Sequence, residues 1–184
     1  QGVLSATLVE ISWILTAYLV ASTVFTPMYG WLARRIGRRR LFVTIIVGFC
    51  ACATLIAQSD SLEAIIFFRF CQGFFGAGFN PLLMQVVLAT FPVRQQGIAF
   101  GWLTTGRMSG IIVGPLLGGI MTEYFSWRFV FLTNLPLGLF AAYLILRYVP
   151  KGHPESTKKF DIFGFLVLGV SILALQYVLD QGQT

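Results

Sequence analysis

Long apolar runs separated by short polar breaks dominate the chain. They cover about residues 11–33, 41–58, 62–90, 97–124, 127–149 and 162–179. Each is close to or above the roughly 20 residues that carry a helix across a bilayer, so six membrane-spanning helices are predicted. Most breaks are short: GWLARRIGRRR, QSDSLE, FPVRQQG and TEYFSWR. The exception is RYVPKGHPESTKKFD over 147–161, where Pro150, Gly152 and Pro154 argue against a continuous helix. A loop over 150–160 is therefore expected to divide a five-span unit, residues 1–149, from an additional span over 161–184. Asp161 stands where a carboxylate can accept the free N–H groups of that last span. Pro27, Pro81 and Pro115 fall inside apolar runs and predict bends, because proline lacks an N–H and crowds the preceding turn. Trp13 and Tyr18, near the start of the first span, are placed at headgroup level.

Two spans carry more than a lipid anchor needs. In the third, Arg69, Gln72, Gly73, Gly76 and Asn80 fall at offsets of 3, 4, 7 and 11, on one helical face. Such a stripe is expected to face a bundle interior or a water-filled cavity. In the fourth, GRMSGIIVGPLLGG places glycines at 106, 110, 114 and 118, one per turn, which lets a neighbouring helix approach closely. Ordinary tight packing at a Pro-Gly kink has the same requirement. Arg107 borders this face and, at 1.5 Å per residue, lies roughly 15 Å into the span. An arginine at that depth is a functional-site candidate that needs a partner. Glu123 and Asp180 sit near span ends, which leaves a group beyond these residues or a substrate anion.

Composition agrees with the pattern: 57% of residues are hydrophobic, 11% are charged, and 18 of 184 are Phe. This describes a multi-span membrane protein. The net charge of +6 does not mark a nucleic-acid binder, because the bases sit in inter-span loops. Arg34, Arg35, Arg38, Arg39, Arg40, Arg94, Arg147, Lys151, Lys158 and Lys159 fall in one set of alternating loops, against Arg128 alone in the other. The positive-inside rule places those ten in the cytoplasm and both chain ends outside. That topology, with Gln1 as the first residue, predicts a fragment of a longer polypeptide with at least one span before it. The arginine loop reads equally as a topology signal in contact with anionic lipid. Cys50, Cys52 and Cys71 lie inside apolar runs and read as small packing residues. His153 is the only histidine and lies in a polar loop. No convergent nucleophile, acid–base pair or metal set is visible, so neither enzyme activity, metal nor cofactor is expected.

Three of these stretches resemble signatures of the major facilitator superfamily. GWLARRIGRRR is similar to the signature between its second and third spans, through Gly30, Leu32, Ala33, Arg35, Gly37, Arg38 and Arg39. Arg34 stands where the family has Asp, so the acidic lock tied to that Asp is in doubt here. IFFRFCQGFFGAG resembles the fourth-span signature through Arg69, Gln72 and Gly73, which implies a part for Arg69 in proton coupling. GIIVGPLLGG resembles the fifth-span signature of antiporters through Gly110, Gly114, Pro115, Gly118 and Gly119, a form associated with exporters. WILTAYLVA and WRFVFLTNLPLG look like the drug:proton antiporters with fourteen spans, the group of the Emr-type multidrug exporters.

The resemblance implies an all-α, polytopic transmembrane helical bundle of major facilitator type, holding the second to seventh spans. It implies proton-coupled efflux of drugs or other small amphipathic molecules by alternating access, in the inner or plasma membrane. Its partners would be a small-molecule substrate, protons and the lipid bilayer, and not nucleic acid. A periplasmic adaptor and an outer-membrane channel stay open. Arg69, Arg107, Gln72 and Asn80 are the transport and proton-coupling candidates, the second and fourth from their placement alone. Gly30, Gly37, Arg38, Arg39, Gly110, Gly114, Pro115, Gly118 and Gly119 form the conformational signature. The rival readings are an uptake or metabolite transporter and a non-transporting membrane scaffold.

Overall fold

The computed structural model describes residues 8–152 and 160–181, with side chains over 13–152 and 160–175. Among the described residues every regular element is a helix. They are α1 (Leu8–Ile36), α2 (Arg38–Gln58), α3 (Leu62–Gly76), α4 (Phe79–Thr90), α5 (Val93–Tyr124), α6 (Trp127–Leu132), α7 (Asn134–Tyr148) and α8 (Ile162–Gln181). The all-α helical bundle expected from the hydropathy pattern is the observed architecture. Among the described residues Arg38–Gln58, Leu62–Thr90 and Trp127–Tyr148 are long and apolar enough to cross a membrane, and Ile162–Leu175 is a shorter apolar helix. His153, Lys158 and Lys159 lie outside the described residues, as does the side chain of Asp180.

Six apolar runs become eight helices because two of them break ahead of a proline. Pro81 has no N–H to give the carbonyl of Ala77, and its ring crowds that carbonyl. Ala77 and Gly78 keep right-handed helical dihedrals but drop out of the regular hydrogen-bond ladder, the Gly78 N–H turning to the Phe75 carbonyl at 3.3 Å, so the interruption precedes Pro81. Pro136 acts in the same way on Leu132, and α6 separates from α7 at Thr133. By contrast, α1 and α5 continue without interruption through Pro27 and Pro115.

A broken helix survives in an apolar medium only if its released carbonyls find donors. Here α1 supplies them. Tyr29 Oη donates to the Phe74 carbonyl at 2.7 Å. Thr26 Oγ1 lies 3.4 Å from the Ala77 carbonyl and 2.5 Å from its own Ser22 carbonyl, so its single proton is divided. Thr26 and Tyr29 are three residues apart and share one face. Tyr29→Phe removes the better bond inside a core where Tyr29 is 1% exposed. An unpaired buried carbonyl costs about 1–3 kcal/mol. The thermal unfolding midpoint in detergent should fall accordingly, and an unchanged midpoint would show that the Phe74 carbonyl has another donor.

The core lies between α1, α2 and the α3–α4 break, with α7 closing one side. Tyr29, Leu41, Phe42, Ile45, Cys50 and Leu82 are among its buried members. Cys50 and Cys52 are buried free thiols, and Cys50 Sγ donates to the Asn134 carbonyl at 3.2 Å. The helix α8 lies along α1, with the Phe160 ring 5.0 Å from Trp31 and Phe165 6.1 Å from Phe25. Asp161 caps it by accepting from the Gly164 N–H at 2.8 Å, as its position predicted.

Two sets of connections tie the ends. At the arginine-rich end Gly37 adopts φ +93°, a left-handed conformation that glycine tolerates best. A Cβ on Gly37 would sit 3.0 Å from the Gly152 carbonyl oxygen, so the chain leaving α7 crosses directly over the α1–α2 turn. Arg39 also reaches α7 and donates to the Leu146 carbonyl. At the opposite end Arg128 pairs with Asp60 at 2.7 Å. Asp60 is 90% exposed, so this pair contributes at most about 1 kcal/mol.

Candidate transport site

The helix α3 starts at Ser61, whose Oγ accepts from the Ala64 N–H at 3.3 Å. Two turns further, the half-buried Arg69 points its guanidinium at α6, 4.6 Å from the centroid of the Phe131 ring. Arg69 Nη1 donates to Gln72 Oε1 at 3.2 Å, and Gln72 is only 1% exposed. The remaining Nε–H of Arg69 is buried and has no partner among the described residues. The ring face and the amide oxygen stabilise the cation, but one strong donor is left unmatched. An acceptor arriving there would gain a charge-assisted hydrogen bond.

The stripe that the sequence places on one face divides in space. Arg69 and Gln72 form the polar cluster. Gly73 and Gly76, instead of facing a cavity, receive α1: Gly73 lies against the backbone of Tyr18, and a Cβ on Gly76 would stand 2.8 Å from Tyr18 Oη. Asn80 lies past the break, on α4. Its Oδ1 accepts from Arg107 Nη1 of α5 at 3.4 Å. This second pair borders an open cavity of about 370 Å³ between α1, α4 and α5, lined also by Thr26, Met84, Phe100 and Thr104. The partner sought for Arg107 is thus an amide, and the cation stays exposed.

The glycine face of α5 is uncovered. A Cβ on Gly106, Gly110, Gly114, Gly118 or Gly119 would meet nothing within 4 Å, and none of the residues of α5 is buried. The close approach expected along this stripe is not made by any described residue. Of the arginine-loop signature, Gly30 is likewise open, Gly37 supplies the turn, Arg38 runs beside Gly152, and Arg39 holds the end of α7. Arg34, in the position of the family's Asp, is exposed.

Four residues of the two sites and of the helix break between them were not anticipated there: Tyr18, Thr26, Tyr29 and Phe131. Tyr18 is packed on α3, whereas Trp13 is 52% exposed. The signal for α1 was present, since Tyr18, Phe25 and Tyr29 recur at offsets of 7 and 11, the spacing of one helix face. Nothing local pointed to Phe131, because its role depends on which helix lies opposite Arg69.

Comparison with known proteins places the chain. The family described as the Major Facilitator Superfamily matches residues 2–179. Relatives carry the name "Putative multidrug resistance protein MdtD". The one from Enterobacter sp. (strain 638) is 35% identical over 167 residues, covering 91% of this chain and 35% of that relative. Those from Yersinia pestis (strain Pestoides F) and Yersinia pseudotuberculosis serotype O:3 (strain YPIII) are 36% identical over the same share of this chain and 36% of their own length. The chain belongs to the Major Facilitator Superfamily and is a multi-pass cell-membrane protein. It spans about a third of the length of these curated relatives.

Proposed function

We propose that the protein exports drugs or other small amphipathic molecules in exchange for protons, by alternating access of two helical bundles. We place it in the fourteen-span, Emr-type antiporter group, with residues 1–149 in the N-terminal bundle. In this reading 150–160 is a cytoplasmic loop, 161–184 is an additional span, and both ends of the chain face outward.

The observation that carries the reading is the unmatched Nε–H of Arg69 inside the bundle. A cation within a few ångströms of a carboxylate favours its ionised form, so Arg69 would set the proton affinity of an acidic group brought beside it. Gln72 orients the guanidinium. Arg107 and Asn80 hold one polar wall of a cavity lined also by Thr26, Thr104, Met84 and Phe100, a mixture suited to amphipathic cargo. The open glycine face of α5, with Pro115 in it, would be the surface on which the bundles move past one another. A periplasmic adaptor and an outer-membrane channel are proposed partners of the assembled exporter.

The test is transport of a fluorescent cationic dye into inverted vesicles carrying the protein. A proton gradient should drive it and an uncoupler should stop it. Arg107→Ala should reduce it by roughly tenfold, the equivalent of one lost hydrogen bond to a charged group. Dye movement indifferent to the uncoupler would exclude proton exchange. The rival reading, uptake of a metabolite, draws on the exposed Arg107 cation. It would be favoured if the dye stays still while an organic anion accumulates in an Arg107-dependent manner.

A further inference from the structure

The arginine-rich end of the bundle holds a cavity separate from the two polar clusters of the transport site. It opens between α2 and α7, measures about 670 Å³, and is lined by Ile36, Arg39, Arg40, Val43, Leu146 and Lys151 among others. Three of these are cationic, and no Asp or Glu among the described residues lines the cavity. Arg39 spends one N–H on the Leu146 carbonyl. Arg40 and Lys151 are exposed and form no ion pair among the described residues. Arg39 and Arg40 belong to the first turn of α2, which holds no acidic residue to offset them. Cations gathered in this way repel one another until an anion joins them.

The remaining wall is mostly apolar, the Thr44 hydroxyl being spent on the Arg40 carbonyl at 3.0 Å. Ile36, Val43 and Leu146 line it, and one turn further along α2 Val47 is 52% exposed. The groove therefore changes from cationic to apolar where the apolar run of α2 begins, at Leu41. A soluble anion would use only the upper part of such a groove. A molecule with an anionic head and a hydrocarbon tail matches both parts, and basic pockets between spans are the recognised setting for acidic lipid headgroups. We propose that this cavity binds an anionic phospholipid, with its phosphate between Arg40 and Lys151 and an acyl chain along Val43 and Val47.

The test is native mass spectrometry of the purified protein in mild detergent, titrated with phosphatidylglycerol or phosphatidylcholine. Phosphatidylglycerol should bind preferentially, and Arg40→Gln with Lys151→Gln should weaken it about thirtyfold. Arg34→Gln with Arg94→Gln removes equal charge elsewhere and should leave binding unchanged. Lys151→Gln alone, outside any helix, should cost about fivefold and guards against a double variant that fails to fold. Glycerol 3-phosphate, the soluble head without tails, should not displace the lipid at matched concentration. Equal loss in the two double variants, or no loss with Lys151→Gln, would replace the site by diffuse surface charge. Displacement by glycerol 3-phosphate would make it a site for free anions.

Discussion

Gly73→Ala is expected to prevent stable assembly of the bundle, whereas Gly114→Ala leaves it intact. A Cβ at residue 73 would overlap the carbonyl oxygen of Tyr18, stand 3.1 Å from its carbonyl carbon and 2.9 Å from the Ala21 Cβ. These are backbone and first side-chain atoms of α1, so no flexible side-chain end can give way. The two helices must separate, and with them the hydroxyls by which α1 satisfies the α3–α4 break. Overpacking commonly costs 1–3 kcal/mol, and a backbone collision at a helix crossing belongs at or above about 3 kcal/mol. The roughly 1 kcal/mol that alanine returns through helix propensity does not offset it. At Gly114 a Cβ meets nothing, and the same propensity acts alone. Thermal unfolding in detergent separates the cases: Gly73→Ala should lower the midpoint steeply and Gly114→Ala hold or raise it. A Gly73→Ala protein as stable as the wild type would mean that α1 and α3 cross elsewhere.

The second large effect is expected at Arg69. Arg69→Ala should reduce gradient-driven dye transport by about ten- to a hundredfold, the equivalent of one charged hydrogen-bond partner in an apolar setting. Stability should fall as well, by about 1–3 kcal/mol, because the buried Gln72 Oε1 loses the donor it accepts from, so transport is compared per folded, inserted protein. Arg69→Lys is the informative companion. It keeps the charge but loses the planar fork that stacks on Phe131 while donating to Gln72. Proton coupling should persist in it at a reduced rate, with the pH profile of transport displaced. Full transport by Arg69→Ala with an unaltered pH profile would remove Arg69 from the coupling machinery and leave it as a packing cation.

These two expectations also divide what was legible in the chain from what was not. Hydropathy runs identified the helical class, and the proline rule accounts for both breaks once the carbonyl four residues back is considered. The Asp161 cap was readable because a cap involves only its own helix. The arginine and glycine signatures were readable as motifs. Their contacts were not: Gly114 and Gly118 looked like the tightest surface, yet the glycines that α1 presses upon are Gly73, Gly76 and Gly78. Arg69 and Asn80 share a face on an ideal helix, yet one meets Phe131 of α6 and the other Arg107 of α5.

The sequence by itself determined that this is an all-helical membrane protein, roughly where its apolar runs lie, and which of them carry arginines. Helix periodicity, hydropathy and capping act over a few neighbouring residues, so they can be read in order along the chain. Only the tertiary structure decided that Tyr29 satisfies the broken third span, that Arg69 rests on Phe131 with one donor unmatched, and that Arg40 and Lys151 face one groove. Those facts depend on which helix lies opposite, and residues 45 or 62 positions apart meet through packing, which no local pattern encodes.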